Sequence, residues 1–158
     1  MAAIDVGILT VGGNNSSSGT TYINITNPAI KKAIIDTVKL SAVVTMSGIK
    51  VGSFYHVSGT TYACRDYEAI GNQTAGGLKT ITGLSIEFEE GDFIGVFFSE
   101  GNIRREIGGG DGIIYSSPAK DLTVISGTTN DSLGFITLYG SGETVSVGGA
   151  ANLLMHLN

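Results

Sequence analysis

Cysteine is almost absent. Cys64 stands alone, so no disulfide forms within the chain and the fold does not depend on an oxidising compartment. Histidine is nearly as scarce, His56 and His156 being the only two, and neither His-X-X-X-His nor Cys-X-X-Cys spacing occurs. That pattern argues against a zinc site of soft ligands. Tryptophan is missing altogether, which leaves tyrosine to do any stacking against a ligand ring. Basic residues are outnumbered, 9 Lys and Arg against 14 Asp and Glu, for a net charge of −5. Phosphate backbones and anionic lipid surfaces call for a basic face, so nucleic acid is not an expected partner. The doublets Lys31-Lys32 and Arg104-Arg105 read as solvated turns. No apolar run approaches the ~20 residues of a membrane helix. The start Met1-Ala2-Ala3-Ile4-Asp5 lacks the basic and apolar segments of a signal peptide, so neither secretion nor membrane insertion is expected.

What is abundant is glycine, 24 residues, about twice the usual share of ~7%. With two prolines and no Gly-X-Y period, this glycine is spread through turns between many short strands. Ile, Val, Thr, Tyr and Phe prevail over the strong helix formers. The expected fold is all-β: an antiparallel β-sandwich, jelly-roll-like, with at most one short helix. Residues 1–158 read as a single domain, with 143–158 a C-terminal arm or last strand. Asn27-Pro28 is a helix-start signal, and the spacing of Ile30, Ala33 and Ile34 predicts one or two helical turns over 28–35. From Asp36 the period becomes two: Val38, Leu40, Ala42, Val44 and Met46 share one face of a long strand. Ser47-Gly48 is expected to turn that strand into Ile49 to Val57, and Glu68 to Gly77 to form a loop. Ser-Gly-Thr-Thr, beginning at Ser18, Ser58 and Ser126, is shared turn chemistry without a fixed period. The Asn-X-Ser/Thr triplets at Asn15, Asn24, Asn72 and Asn130 read as accidents of composition.

The chain is organised around Leu84 to Ser99. Leu84, Ile86 and Phe88 alternate with Ser85, Glu87 and Glu89, the period-two signature of a half-buried strand. Glu89-Glu90-Gly91-Asp92 supplies a turn. A hairpin over this turn sets Phe88 opposite Phe93, and Phe93, Gly95 and Phe97 then continue the core face. Ile94, Val96 and Phe98 are apolar too. Pointing outward, they would form a patch that a monomer rarely leaves bare, and they are the expected oligomer interface; the alternative is that the 28–35 turn or the C-terminal Leu153-Leu154-Met155 tail folds over them.

Chemistry-bearing constellations are few. Cys64 and His56 flank one hairpin, but a buried, inert cysteine is the commoner case. There is no Gly-X-Ser-X-Gly elbow, and Gly140-Ser141-Gly142-Glu143 is a turn with no helix after it. The expectation is of no enzyme, no catalytic residue and no cofactor. Glu87, Glu89, Glu90 and Asp92 gather at the central turn and Asp111 lies in a glycine loop, yet their spacing matches no calcium loop. The residues best placed to face a ligand are Tyr22, Tyr62 and Tyr67, which sit beside turns, and Asp111.

Gly91-Asp92-Phe93-Ile94-Gly95-Val96, with the late Gly134-Phe135-Ile136-Thr137-Leu138-Tyr139-Gly140, resembles the trimeric jelly rolls of the complement and tumour-necrosis-factor-like kind. Together with Lys50-Val51-Gly52-Ser53-Phe54 and Arg65-Asp66, it is also similar to small β-sandwich proteins of tailed phages. The resemblance implies a homotrimeric, non-enzymatic structural or attachment component of a virus or phage particle, of capsid-decoration or tail-fibre type. It would be made in the host cytoplasm and would meet other virion proteins or a surface glycan. The alternative is a carbohydrate-binding, lectin-like module, with or without calcium.

Overall fold

The computed structural model describes residues 2–9, 13–106, 112–116, 124–130 and 134–146. The strands are β1 (Ala3–Ile8), β2 (Asn14–Ser17), β3 (Thr21–Asn24), β4 (Ala33–Ser58) and β5 (Thr61–Gln73). There follow β6 (Gly77–Ile81), β7 (Ile86–Phe88), β8 (Phe93–Phe97) and β9 (Glu100–Glu106). The last are β10 (Ile113–Ser116), β11 (Val124–Asn130), β12 (Phe135–Ile136) and β13 (Leu138–Thr144). Every ladder between them is antiparallel. The chain is all-β, as its composition predicts, and the strands join into one curled sheet. Among the described residues no helix is long and apolar enough to cross a membrane.

β4, at 26 residues, is the spine. Its first half pairs with β13 on one side and with β7 and β6 on the other. Its second half pairs with β5 and β8. The expected turn at Ser47-Gly48 is instead a bend inside a continuous strand. Gly48 takes φ of 62°, a value open to glycine at little cost, and the ladders shift register around it. The same irregularity exposes Val44, which lies where the β9 register slips, while Val38, Leu40, Ala42 and Met46 are buried as the alternation predicts.

Beyond the bend the strands close on themselves. β4 pairs β5, β5 pairs β11, β11 pairs β10, β10 pairs β3, β3 pairs β8, and β8 returns to β4. This ring is a small barrel filled by side chains. Ile23, Phe54, Tyr62 and Ile114 fill it, with Cys64, Phe93 and Phe97 packed against them. Gly95 makes room for the Phe54 ring: a β-carbon there would lie 2.5 and 2.7 Å from two of its carbons. The main core lies between the barrel and the β1–β13–β4 half. It joins Val51, Ile94, Val96 and Phe98 to Val6, Ile35, Leu40 and Leu138.

The central stretch is therefore not a hairpin. Its turn forms as expected at Glu90-Gly91, with Gly91 at φ 90° and the Asp92 amide donating to the Glu89 carbonyl (3.1 Å). The strands on either side part company, however. β7 pairs Ala33–Ile35 of β4, and β8 pairs Lys50–Phe54 of the same strand. Ile94, Val96 and Phe98, expected on the outside, are fully buried in the main core. Phe93 and Phe97 point the other way, half-buried in the barrel. Both faces of β8 are greasy because both faces are covered.

The expected helix over 28–35 is absent. Asn27 takes a left-handed φ of 57°. The Ala29 amide donates to Asp92 O (2.9 Å) and its carbonyl accepts from the Gly91 amide (2.7 Å). These bonds engage the main chain at Ala29, and Ala33 already opens β4. The predicted loop at 68–77 is also partly strand, since β5 runs on to Gln73 with Ile70 packed against the core, and the polar stretch Asn14–Ser17 pairs as β2 with β9.

Candidate functional site

The ligand-facing tyrosines predicted from turn proximity do not converge. Tyr22 lies in the main core, stacked on Phe98 at 6.1 Å, and Tyr62 lies within the barrel, edge-on to Phe93 at 5.8 Å. Both are 7% exposed, so neither can face a ligand. Their strands, β3 and β5, are each paired on both edges within the ring, and a neighbouring turn does not undo the burial. Tyr67 is exposed, with the Lys50 ammonium 6.0 Å from its ring centre. Asp111, His156 and Leu153-Leu154-Met155 lie outside the described residues.

The other sequence candidates are held in structural roles. His56 Nε2 is 2.7 Å from the Gly59 carbonyl across the turn, while the Cys64 thiol donates to Asp66 O at 3.5 Å. The central acidic turn is likewise engaged. Asp92, buried, accepts a forked bond from Arg65 (Nε–Oδ2 2.5 Å, Nη2–Oδ1 3.1 Å) and one from the Glu89 amide at 3.0 Å. Arg65 in turn lies 4.7 Å over the Tyr55 ring. Lys32 bridges Glu89 (3.3 Å) and Glu87 (3.6 Å), and the Glu89 hydrogen bond, then its charge and that of Glu87, raise the lysine pKa. Among the described residues, no group of three or more His, Cys, Asp or Glu is arranged to hold a metal ion.

What the fold does build is a cleft of 530 Å³ on the outer face of the β1–β13–β4 half. Its floor follows from strand alternation. In β13, Gly140 turns inward, while Tyr139, Ser141 and Glu143 fall on the opposite face. The ladder brings Asp5 opposite Ser141 and Ala3 opposite Glu143. The wall is the segment whose sequence predicts a helix. Asn27 folds over the edge of β1: its carbonyl accepts the Gly7 amide (3.1 Å), and its Nδ2 donates to Gly7 O (3.2 Å) and Asp5 Oδ1 (2.8 Å). The left-handed φ of Asn27 is what permits this cap, and asparagine tolerates it better than most residues. Ile30 lines the rim with 69% of its surface exposed, and Asp36 completes the wall.

Tyr139 Oη donates to Asp5 Oδ2 at 3.3 Å. Burial, and then the Asp5 charge and hydrogen bond, push its pKa above the ordinary tyrosine value. Asp5, Asp36 and Glu143 line the cleft with no Lys or Arg among its walls. Lys39, the ladder partner of Tyr139, lies outside the lining. A second cleft, of 820 Å³, is lined by Lys31, Lys32, Glu89 and Glu90, whose charges offset one another.

Comparison with protein-family models and with curated proteins finds no match.

Sequence reasoning missed Tyr139, Asn27 and Ile30 as site residues. A signal for the first existed, since Tyr139, Ser141 and Glu143 alternate with Gly140 and Gly142 as one polar face. Nothing local marked Asn27 and Ile30, because the capping pattern there reads as a helix start.

Proposed function

We propose that this chain is a non-enzymatic attachment component, a β-framework that presents a ligand cleft on the outer face of its β1–β13–β4 half. The carrying observation is the cleft itself. Its volume lies in the range of small-ligand sites, which is ~300–1,000 Å³. An exposed Ile30 at a polar rim gives such a site an apolar contact. The groups best suited to nucleophilic chemistry, Cys64 and His56, are each bonded to a backbone carbonyl. Placement in a virus or phage particle, and self-association as a homotrimer, are what the jelly-roll resemblance implies. The trimer no longer draws support from Ile94, Val96 and Phe98, which are internal.

Carbohydrate recognition is the reading that the cleft lining favours over protein-only attachment. It pairs carboxylates, an amide and a hydroxyl with the side chains of Tyr139 and Ile30. A glycan array bearing neutral, amino and acidic structures, probed with the purified full chain, tests the proposal. Saturable binding to some glycan, with the bound glycan recovered at unchanged mass, is the expected result. Cleavage of the glycan, or failure to bind any arrayed glycan or intact cell surface, overturns it.

A further inference from the structure

We infer that the β1–β13 cleft takes a polyhydroxylated ligand that is neutral or carries an amine, the end of a neutral or amino-sugar glycan, and rejects glycans bearing carboxylate or sulfate groups. This rests on the attachment reading above and adds the place and the chemical class.

The cleft presents three carboxylates and no cationic side chain in its lining. Neither Asp36 nor Glu143 takes part in an ion pair among the described residues. An anionic ligand entering here would be desolvated beside like charges, which costs several kcal/mol at an interface. Sugar hydroxyls are the opposite case. They donate to carboxylates in charge-assisted bonds, roughly twice as strong as neutral ones. A protonated amine adds direct attraction. The receptor side is also held in place before any ligand arrives. Asp5 is fixed between Asn27 Nδ2 and Tyr139 Oη, and Asn27 is fixed by both its main chain and its side chain on Gly7. Preorganised acceptors lose less entropy on binding. Ile30 and Tyr139 offer apolar surface for the C–H face of a sugar ring, which a simple cation site would not need.

The full chain is titrated calorimetrically with a glucosamine oligomer, an N-acetylglucosamine oligomer and an oligogalacturonate of equal length. The double variant Asp36→Asn, Glu143→Gln and the single variant Ile30→Ser change surface groups only, and circular dichroism checks that each stays folded. Expected is binding of the first two probes and none of the third. The double variant should weaken the glucosamine oligomer about tenfold or more, since a hydrogen bond to a charged group contributes ~1.5–3 kcal/mol. Ile30→Ser should weaken both probes. Oligogalacturonate binding as tight as glucosamine overturns the inference, as does binding of the sugars that both variants leave unchanged. So does a lysine-rich peptide that binds through the same residues while no sugar does. Array binding that survives these substitutions keeps the attachment reading and removes the cleft from it.

Discussion

Ile94 shows how one side chain ties the two halves together. It leaves the barrel strand β8 and meets the opposing half where two glycines stand. A β-carbon on Gly140 would lie 3.1 Å from Ile94 Cδ1, and one on Gly7 would lie 2.8 Å from its Cγ2. The missing side chains make the hole that the isoleucine fills. Ile94→Ala should therefore cost ~2–5 kcal/mol in urea unfolding, as lost burial plus cavity. Val96, equally buried, gives a different test. Val96→Glu places an unpaired carboxylate in the core and should unfold the chain, seen as loss of the far-UV β-spectrum, rather than release a subunit. Asn24 is a polar counterpart. Its Nδ2 donates to Ile136 O (2.9 Å) and its Oδ1 accepts from Ile136 N (2.8 Å), all of it buried. The amide of that Asn-Ile-Thr triplet is thus consumed inside the protein and is closed to glycosylation. Two tyrosines carry a pH signature. Burial raises the pKa of Tyr62, and burial followed by Asp5 raises that of Tyr139. The unfolded chain loses these protons first, so stability is full below the ordinary tyrosine value of 10.0 and falls as pH rises past it. Absorbance at alkaline pH should show late-ionising tyrosine that shrinks in Tyr62→Phe and in Tyr139→Phe; an unchanged titration in both would contradict the assignment.

Among the elements, β7 is short and yet well held. Its ladder to β4 satisfies one edge, and carboxylates from elsewhere satisfy the other. The Glu87 amide donates to Asp66 Oδ2 (2.8 Å), the Ser85 amide to Glu68 Oε2, and the Glu89 amide to Asp92 Oδ2 (3.0 Å). Side chains here take the place of a missing strand and protect an edge that would otherwise invite pairing. Asp66→Ala should speed hydrogen exchange at the Glu87 and Tyr67 amides, the second of which it also accepts (2.9 Å), and cost ~1–3 kcal/mol. Phe88 on the inner face of β7 is fully buried, and Phe88→Ala should cost ~3–5 kcal/mol by denaturant midpoint. A loss below about 1 kcal/mol would place that ring at the surface.

At the scale of the whole molecule, closure of the ring decides which backbone is hardest to open. β8 is hydrogen-bonded on both sides, to β3 and to β4, and covered on both faces by the main core and the barrel interior. Its amides should exchange slowest, near the global unfolding limit, whereas β1, bonded to β13 along one edge, should exchange through local opening. Exchange of β8 as fast as β1 would mean that the ring does not hold closed in solution. The closed ring also fills the barrel with side chains, which leaves ligand contact to the outer faces, where the β1–β13 cleft lies.

The sequence by itself determined those features whose cause lies within a few residues. Alternation from Val38 to Ala42 marked a buried strand face, and Glu90-Gly91 marked a turn because glycine accepts a positive φ wherever the chain goes next. The all-β class came from the same local preferences. The partners of each strand were a different matter. Whether β7 folds back on β8 or on Ala33–Ile35 depends on a segment over fifty residues away, and that choice inverted the facing read for Ile94, Val96 and Phe98. Likewise Asn27-Pro28 carries a genuine helix-start signal, but the bonds of Ala29 to Gly91 and Asp92 and of Asn27 to Gly7 outweighed it. The cleft divides along the same line. Its floor, Tyr139, Ser141 and Glu143, was written in a period of two, while its wall exists because distant backbone groups needed hydrogen-bond partners and the tertiary structure supplied them.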